Sequence, residues 1–171
     1  MEPKVSIVMG STSDLPVMEE AANILDKMEI PFEMHVFSAH RTPAELEAHV
    51  KEASAKGVQV MIAGAGGAAH LPGVIAAFTT LPVIGVPCRS SISLDGWDSV
   101  LSILQMPPGI PVATVGLDAA RNAGILAVEI IALGDDHARQ KLEELRMQMR
   151  EKVLQSASAL QGKRFRYQTN T

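Results

Sequence analysis

The feature that most constrains this chain is the regular alternation of short apolar runs with amphipathic helical segments. Five such runs, Val5–Met9, Phe32–Phe37, Val58–Ala63, Pro82–Val86 and Pro111–Val115, read as strands. Between them lie segments with helical periodicity. Asp14 is placed to cap the first helix, with Pro16 in its first turn. That helix runs to about Met28 and carries Val17, Ala21, Ile24, Leu25 and Met28 on one face. Thr42-Pro43-Ala44-Glu45 reads as a capping box opening a second helix, with Leu46 and Val50 inward and an end near Gly57. An Ala-rich helix follows the glycine-rich stretch Gly64–Gly73. A short helix is expected around Asp98–Gln105, and one capped by Asp118 running to about Leu133. Asp135 or Asp136 then caps a last long helix to about Leu160.

Strands alternating with helices imply right-handed βαβ units and a parallel sheet covered on both faces. The expected fold is a three-layer α/β, flavodoxin-like sandwich with a five-stranded parallel sheet in the order 2-1-3-4-5. Five helices suffice to cover such a sheet. The sixth, about 26 residues and ~39 Å long, keeps an apolar stripe at Leu142, Leu145, Met149 and Val153. That stripe is expected to pack on a neighbouring subunit. The 171 residues suit one domain, 1–162, ending in this oligomerisation helix, with 163–171 as a flexible tail.

Composition narrows the function. A net charge of −4 lacks the basic field of a nucleic-acid binder, and 4% aromatics supply few stacking platforms. One cysteine excludes a disulfide framework and a thiolate metal cluster. The acidic start and short first apolar run do not make a secretory signal, and no stretch reaches the ~18 apolar residues of a spanning helix. The reading is a soluble, cytoplasmic protein that binds neither nucleic acid nor membrane.

Ligands of open parallel sheets bind at the carboxyl ends of the strands, near the switch in strand order. Ser11, Ser13 and Asp14 follow the first strand; Ser38, His40 and Arg41 the second; Gly64, Gly66, Gly67 and His70 the third. Three of these loops enter helix N-termini, whose free N–H groups favour anions. Ser11, Ser13 and Arg41 can complete a phosphate cradle. Asp14 is either a cap, a ligand for a sugar hydroxyl, or both. His40 is the candidate for proton transfer, because histidine exchanges protons near neutral pH; the alternative is a histidine that only bonds its own loop. His70 has the weaker case, and His35, His49 and His137 read as structural or solvent-facing.

Other site types fit poorly. Gly64-x-Gly66-x-x-Ala69 formally matches the dinucleotide fingerprint, but it follows the third strand and no acidic residue stands where a ribose would need one. Aromatic walls for a flavin are scarce, a receiver domain's aspartates are missing, and no metal-ligand spacing occurs. Cys88 could be a nucleophile but reads better as a small apolar residue ending the fourth strand.

Four motifs then stand together in order: Gly10-Ser-Thr-Ser-Asp14, Ser38-Ala-His-Arg-Thr-Pro43, Gly64-Ala-Gly-Gly-Ala-Ala-His-Leu-Pro-Gly73 and Gln105-Met-Pro-Pro-Gly-Ile-Pro111. With them the chain, to about Leu133, resembles the 5-(carboxyamino)imidazole ribonucleotide mutases of purine biosynthesis. The resemblance implies transfer of a carboxylate from the exocyclic nitrogen to ring carbon C4, without metal or organic cofactor, in an octamer. It implies that His40 is the acid–base residue and that Ser11, Asp14 and Arg41 contact the nucleotide, with Ser13 and Ser38 nearby. The loop with Gly66, Gly67, Ala68 and His70 would close over the imidazole and CO2. A related class carboxylates aminoimidazole ribonucleotide directly with CO2; the full third motif favours the mutase. A non-catalytic nucleotide-binding module of the same fold is the third reading. The chain departs from common members at Val86–Asp98, which is slightly long, and around Gly116–Asn122, which is short. The basic ending Gly162–Tyr167 lies beyond the matched region.

Overall fold

The computed structural model describes residues 1–158 together with Lys163, Arg166, Tyr167 and Thr169. Its parallel sheet contains β1 (Val5–Met9), β2 (Phe32–Val36), β3 (Val60–Gly66), β4 (Val83–Cys88) and β5 (Ala113–Thr114). The order is β2-β1-β3-β4-β5, as expected. The helices are α1 (Leu15–Lys27), α2 (Pro43–Ala53), α3 (Leu71–Phe78), α4 (Trp97–Leu104), α5 (Ala120–Ile131) and α6 (Asp136–Ser158).

The two-residue period of a strand divides the side chains between two cores. Ile7 and Met9 of β1, Ile62 of β3 and Ile84 of β4 meet α1, α5 and α6 on one face. Val8, Met61 and Ala63 meet α2 and α3 on the other, joined by Ile103 of α4. Every residue of β1 is buried, as befits a central strand covered twice. Close packing is built from small residues. A Cβ on Gly64 would lie 2.1 Å from Met18 Sδ, and one on Gly124 would lie 2.3 Å from Ile24 Cγ2.

Several local expectations change. β3 starts later and runs on through Gly64 to Gly66, because Gly64–Gly66 pair in register with Val86–Cys88 of β4. Asp14 stands at the N-cap of α1 without a side-chain cap bond; a 3-10 turn at Thr12–Asp14 precedes the helix instead. Thr42 also makes no cap bond, so the capping box does not form. Its Oγ1 instead accepts the Ser38 N–H at 2.9 Å. Asp118 does not cap α5: it has a positive φ of 55°, and its Oδ1 accepts the Arg89 N–H at 2.8 Å. Asp135 does cap α6, accepting the Ala138 N–H at 3.0 Å, and Lys4 donates to the same carboxylate.

The stripe on α6 is split. Leu145 is buried and Leu142 packs against the core beside α5, so the inner half belongs to this chain's own domain. That corrects the expectation that the whole stripe seeks a neighbour. Met149 and Val153 farther out are 47% and 68% exposed. The expected helix end at Leu160 lies outside the described residues, as does most of the tail.

Candidate active site

The loop after β2 is fixed by its own side chains. Ser38 Oγ accepts N–H groups from His40 at 3.3 Å and Arg41 at 3.2 Å, and the Arg41 Nε–H at 3.3 Å. Thr42 Oγ1 donates back to the Ser38 carbonyl at 3.2 Å. Such local bonds hold a non-helical turn, and Pro43 then starts α2 without needing a donor. Ser38 thus spends its oxygen on the turn that presents His40 and Arg41.

The loop after β3 faces it. Gly67 has φ +61° and Ala69 +47°, a left-handed kink that turns the strand into α3. His70, just ahead of α3, places Nδ1 2.7 Å from His40 Nε2, with the two rings edge to face. One of these nitrogens carries the hydrogen and the other accepts it. The pair is exposed at the rim of the sheet's carboxyl edge.

Around the pair is a cavity of about 460 Å³. It is lined by Ser11, Ser13, Asp14, Ser38, His40, Arg41, Gly66, Ala68 and His70, among others. Gly67, also expected there, is absent from the lining; it is buried and shapes the kink. A Cβ on Gly66 would stand 2.9 Å from the Cys88 carbonyl oxygen, so only glycine lets these backbones meet at the cavity floor. An adjoining recess of about 370 Å³ carries Ser11, Thr12, Ser38, Arg41 and Thr42. Arg41 therefore lines both compartments. Ser11 Oγ accepts the Ser13 N–H at 3.3 Å, leaving its own hydroxyl hydrogen to donate.

Asp14 is buried, and burial raises its carboxyl pKa above the usual range despite a bond from the Ser11 backbone. It is the acidic group of the cavity wall. Burial pushes the Cys88 thiol up to about 12, which disfavours the thiolate, and the residue packs in the core as the small apolar residue expected.

The cavity lining also includes Ser90, Ser91 and Ile92, on the loop after β4, which carries none of the expected site residues. Ser90 Oγ is closed off from solvent and makes no hydrogen bond among the described residues. The rule that placed the other loops, carboxyl ends of strands, applies to this one as well. Ser99 on α4 was also missed. It is buried and donates to the Cys88 carbonyl at 3.0 Å, and Ser102 donates to the Ala68 carbonyl, which ties α4 to both loops.

His35 and His49 lie elsewhere, on the flank of the sheet, and neither lines the cavity. His49 is buried, which lowers its pKa and favours the neutral ring; the charge of His35 adds to this.

The chain is similar to known proteins over nearly all of this frame. The family model described as AIR carboxylase matches residues 4–152. The N5-carboxyaminoimidazole ribonucleotide mutase of Pyrococcus abyssi is 57% identical, over 86% of this chain and 84% of that protein. The phosphoribosylaminoimidazole carboxylase of Candida glabrata is 51% identical over 94% of this chain, which spans only 28% of that protein. A crystal structure of PurE from Treponema denticola superposes with a TM-score of 0.82 at 31% identity, covering 92% of this chain and 98% of that one. With a family model spanning both flanks of the cavity and near full-length relatives at this identity, the chain belongs to the AIR carboxylase family.

Proposed function

We propose that this protein is an N5-carboxyaminoimidazole ribonucleotide mutase, an isomerase that moves the carboxylate from the exocyclic nitrogen of 5-(carboxyamino)imidazole ribonucleotide to ring carbon C4. The observation that carries the reading is the His40–His70 pair, 2.7 Å apart, at a cavity whose wall offers Arg41 and serine hydroxyls. Its near full-length relative from Pyrococcus abyssi bears that activity in its name, whereas the carboxylase-named relative is a much longer chain.

The chemistry asks little more of the protein than these groups supply. The N–CO2 bond breaks and its electron pair stays with the aminoimidazole. The enamine-like C4 then attacks the carbon of CO2. Loss of the C4 proton restores the aromatic ring, so in balance one proton passes from C4 to the amino nitrogen. His40 serves both transfers, giving a proton as CO2 leaves and taking the C4 proton afterwards. His70 holds the His40 ring by its hydrogen bond. Arg41 and the serines at the helix starts hold the phosphate, and Asp14 accepts from a ribose hydroxyl. Gly66 and Ala68 form the wall that keeps CO2 near C4, where proximity and exclusion of water supply the remaining acceleration.

The rest of the reading follows from this one. The reaction exchanges no electrons and so calls for no redox cofactor, and the family resemblance implies no other cofactor. The assembly is the homo-octamer that the family resemblance implies, and the exposed outer half of α6 together with Trp97, Leu101 and Leu104 of α4, each more than half exposed, supplies apolar surface for subunit contacts. The domain is 1–162 and the remainder a tail. The site of action is the cytoplasm; among the described residues no helix is long and apolar enough to cross a membrane.

The test follows the C4-carboxylated product from two substrates in parallel. Product from the carboxyamino nucleotide alone supports the mutase. Product from aminoimidazole ribonucleotide plus CO2 alone indicates the direct carboxylase, and nucleotide binding without product from either indicates a non-catalytic module.

A further inference from the structure

Glu33 and His35 are two residues apart on the edge strand β2 and therefore share its α2-facing side. His49 reaches them from α2. Each of the three offers a ligand atom, and these atoms lie within 4.8 Å of one another. His35 Nε2 is 3.3 Å from Glu33 Oε2, and His49 Nε2 is 3.7 Å from Glu33 Oε1. Tetrahedral zinc with bonds of about 2.0–2.1 Å sets its ligand atoms roughly 3.3 Å apart, so small side-chain rotations close the set.

A second observation is independent of that spacing. Glu33 Oε1 and His35 Nε2 are both closed off from solvent, and among the described residues neither makes a hydrogen bond. Buried polar atoms are ordinarily paired. Two of the three candidate ligands thus have an orphaned atom, while His49 Nε2 rests 2.9 Å from Ser6 Oγ. Phe37 packs against both imidazoles, with centroids 5.6 Å from His35 and 5.2 Å from His49, and supplies an apolar wall. The remainder of the His35 side chain is about a third exposed, so the trio lies just beneath the surface.

We infer that Glu33, His35 and His49 form a binding site for one borderline divalent transition ion, zinc by the chemistry of two imidazoles and a carboxylate, separate from the candidate active site. Two imidazoles select against magnesium and calcium, which prefer all-oxygen shells. The fourth position is open to water or to Ser6 Oγ. Because β2 and α2 flank the Ser38–Thr42 loop, the ion would clamp the two elements that carry His40. The inference stands apart from the proposed reaction, which uses none of these three residues.

The experiment titrates the full chain with Zn2+ by calorimetry, and with Co2+ by visible absorption, using Mg2+ as the control. Expected are one Zn2+ per chain with micromolar or tighter affinity, intense tetrahedral Co2+ bands, and no Mg2+ binding. Glu33→Gln, His35→Gln and His49→Phe should each weaken Zn2+ about tenfold or more. His35→Gln is the least disruptive to folding, and circular dichroism checks each variant. His40→Asn, which removes the other histidine pair, should leave Zn2+ affinity unchanged. No saturable Zn2+ binding, binding unaffected in His35→Gln, or binding lost in His40→Asn would each overturn the site.

Discussion

The molecule holds two histidine pairs, and their surroundings differ in almost every respect. His40 and His70 sit on loops past the ends of β2 and β3, exposed, joined by a 2.7 Å contact and beside a cavity. His35 and His49 sit within β2 and α2, with ring centroids 4.4 Å apart against Phe37 and beside Glu33. The difference teaches where a parallel sheet makes chemistry available. Within β2 the backbone ladder fixes the alternation, so residues 33 and 35 must face α2. Past Val36 the ladder ends, and Ser38 and Thr42 bind the backbone into a turn that points His40 at the opposite loop.

The largest effect expected from breaking this contrast is on turnover. His40→Asn keeps a polar group but cannot carry the proton, and should lower kcat by about 10²–10⁴-fold. His49→Phe should leave kcat within a few-fold. Steady-state assays of the two variants side by side decide it; equal losses would mean that the His35–His49 pair governs the reaction as much as the exposed one.

The next effect concerns binding. Arg41→Met removes the cation shared by the cavity and its recess while keeping a long side chain. A hydrogen bond to a charged group contributes about 1.5–3 kcal/mol, so KM should rise roughly 10- to 150-fold with a smaller change in kcat. A KM unchanged within error would remove Arg41 from the phosphate cradle. This residue also marks how far the sequence could be read. That Arg41 and His40 follow a strand end is legible from the apolar run before them. That Ser38 serves as the oxygen around which their backbone folds is not, because the motif equally permits a capping box, and tertiary geometry chose the alternative. Likewise the sheet order was legible from periodicity, but the end of β3 was not. Glycines signal a turn locally, yet Gly64–Gly66 stay extended because β4 pairs with them and Met18 fills the space a side chain would need. The loop carrying Ser90 departs from the family pattern in length, so the motifs assign no contacts in it, although strand polarity places it at the rim where it can line the pocket.

A smaller effect should appear in stability. His49→Phe preserves the packing on Phe37 but leaves the buried Ser6 hydroxyl without its partner. An unsatisfied buried hydroxyl costs about 1–3 kcal/mol. Urea unfolding with a metal chelator present should show that loss. The double variant Ser6→Ala with His49→Phe should recover most of it, since removing both partners is nearly neutral. A double variant no more stable than the single one would show that the ring, not the bond, matters.

The smallest effect is a change of slope with pH, at the candidate active site itself. Burial raises the pKa of Asp14 in the folded chain, so the folded state holds that proton more tightly than the unfolded one. Between the ordinary carboxylate pKa near 3.8 and the raised folded value, stability therefore falls as pH rises, and above that window the full cost of a buried charge remains. Asn at this position carries no charge in either state. Asp14→Asn should consequently be more stable than the native chain at neutral pH, and the advantage should vanish as the pH drops below the unfolded pKa. Thermal melts across that range test it. Gain of stability together with weaker nucleotide binding is the signature of a carboxylate kept at the site for its ligand and not for the fold. If the variant is instead less stable at neutral pH, Asp14 belongs with the structural polar groups, and the contrast between the exposed working pair and the pair on the sheet flank would no longer extend to the acid between the loops.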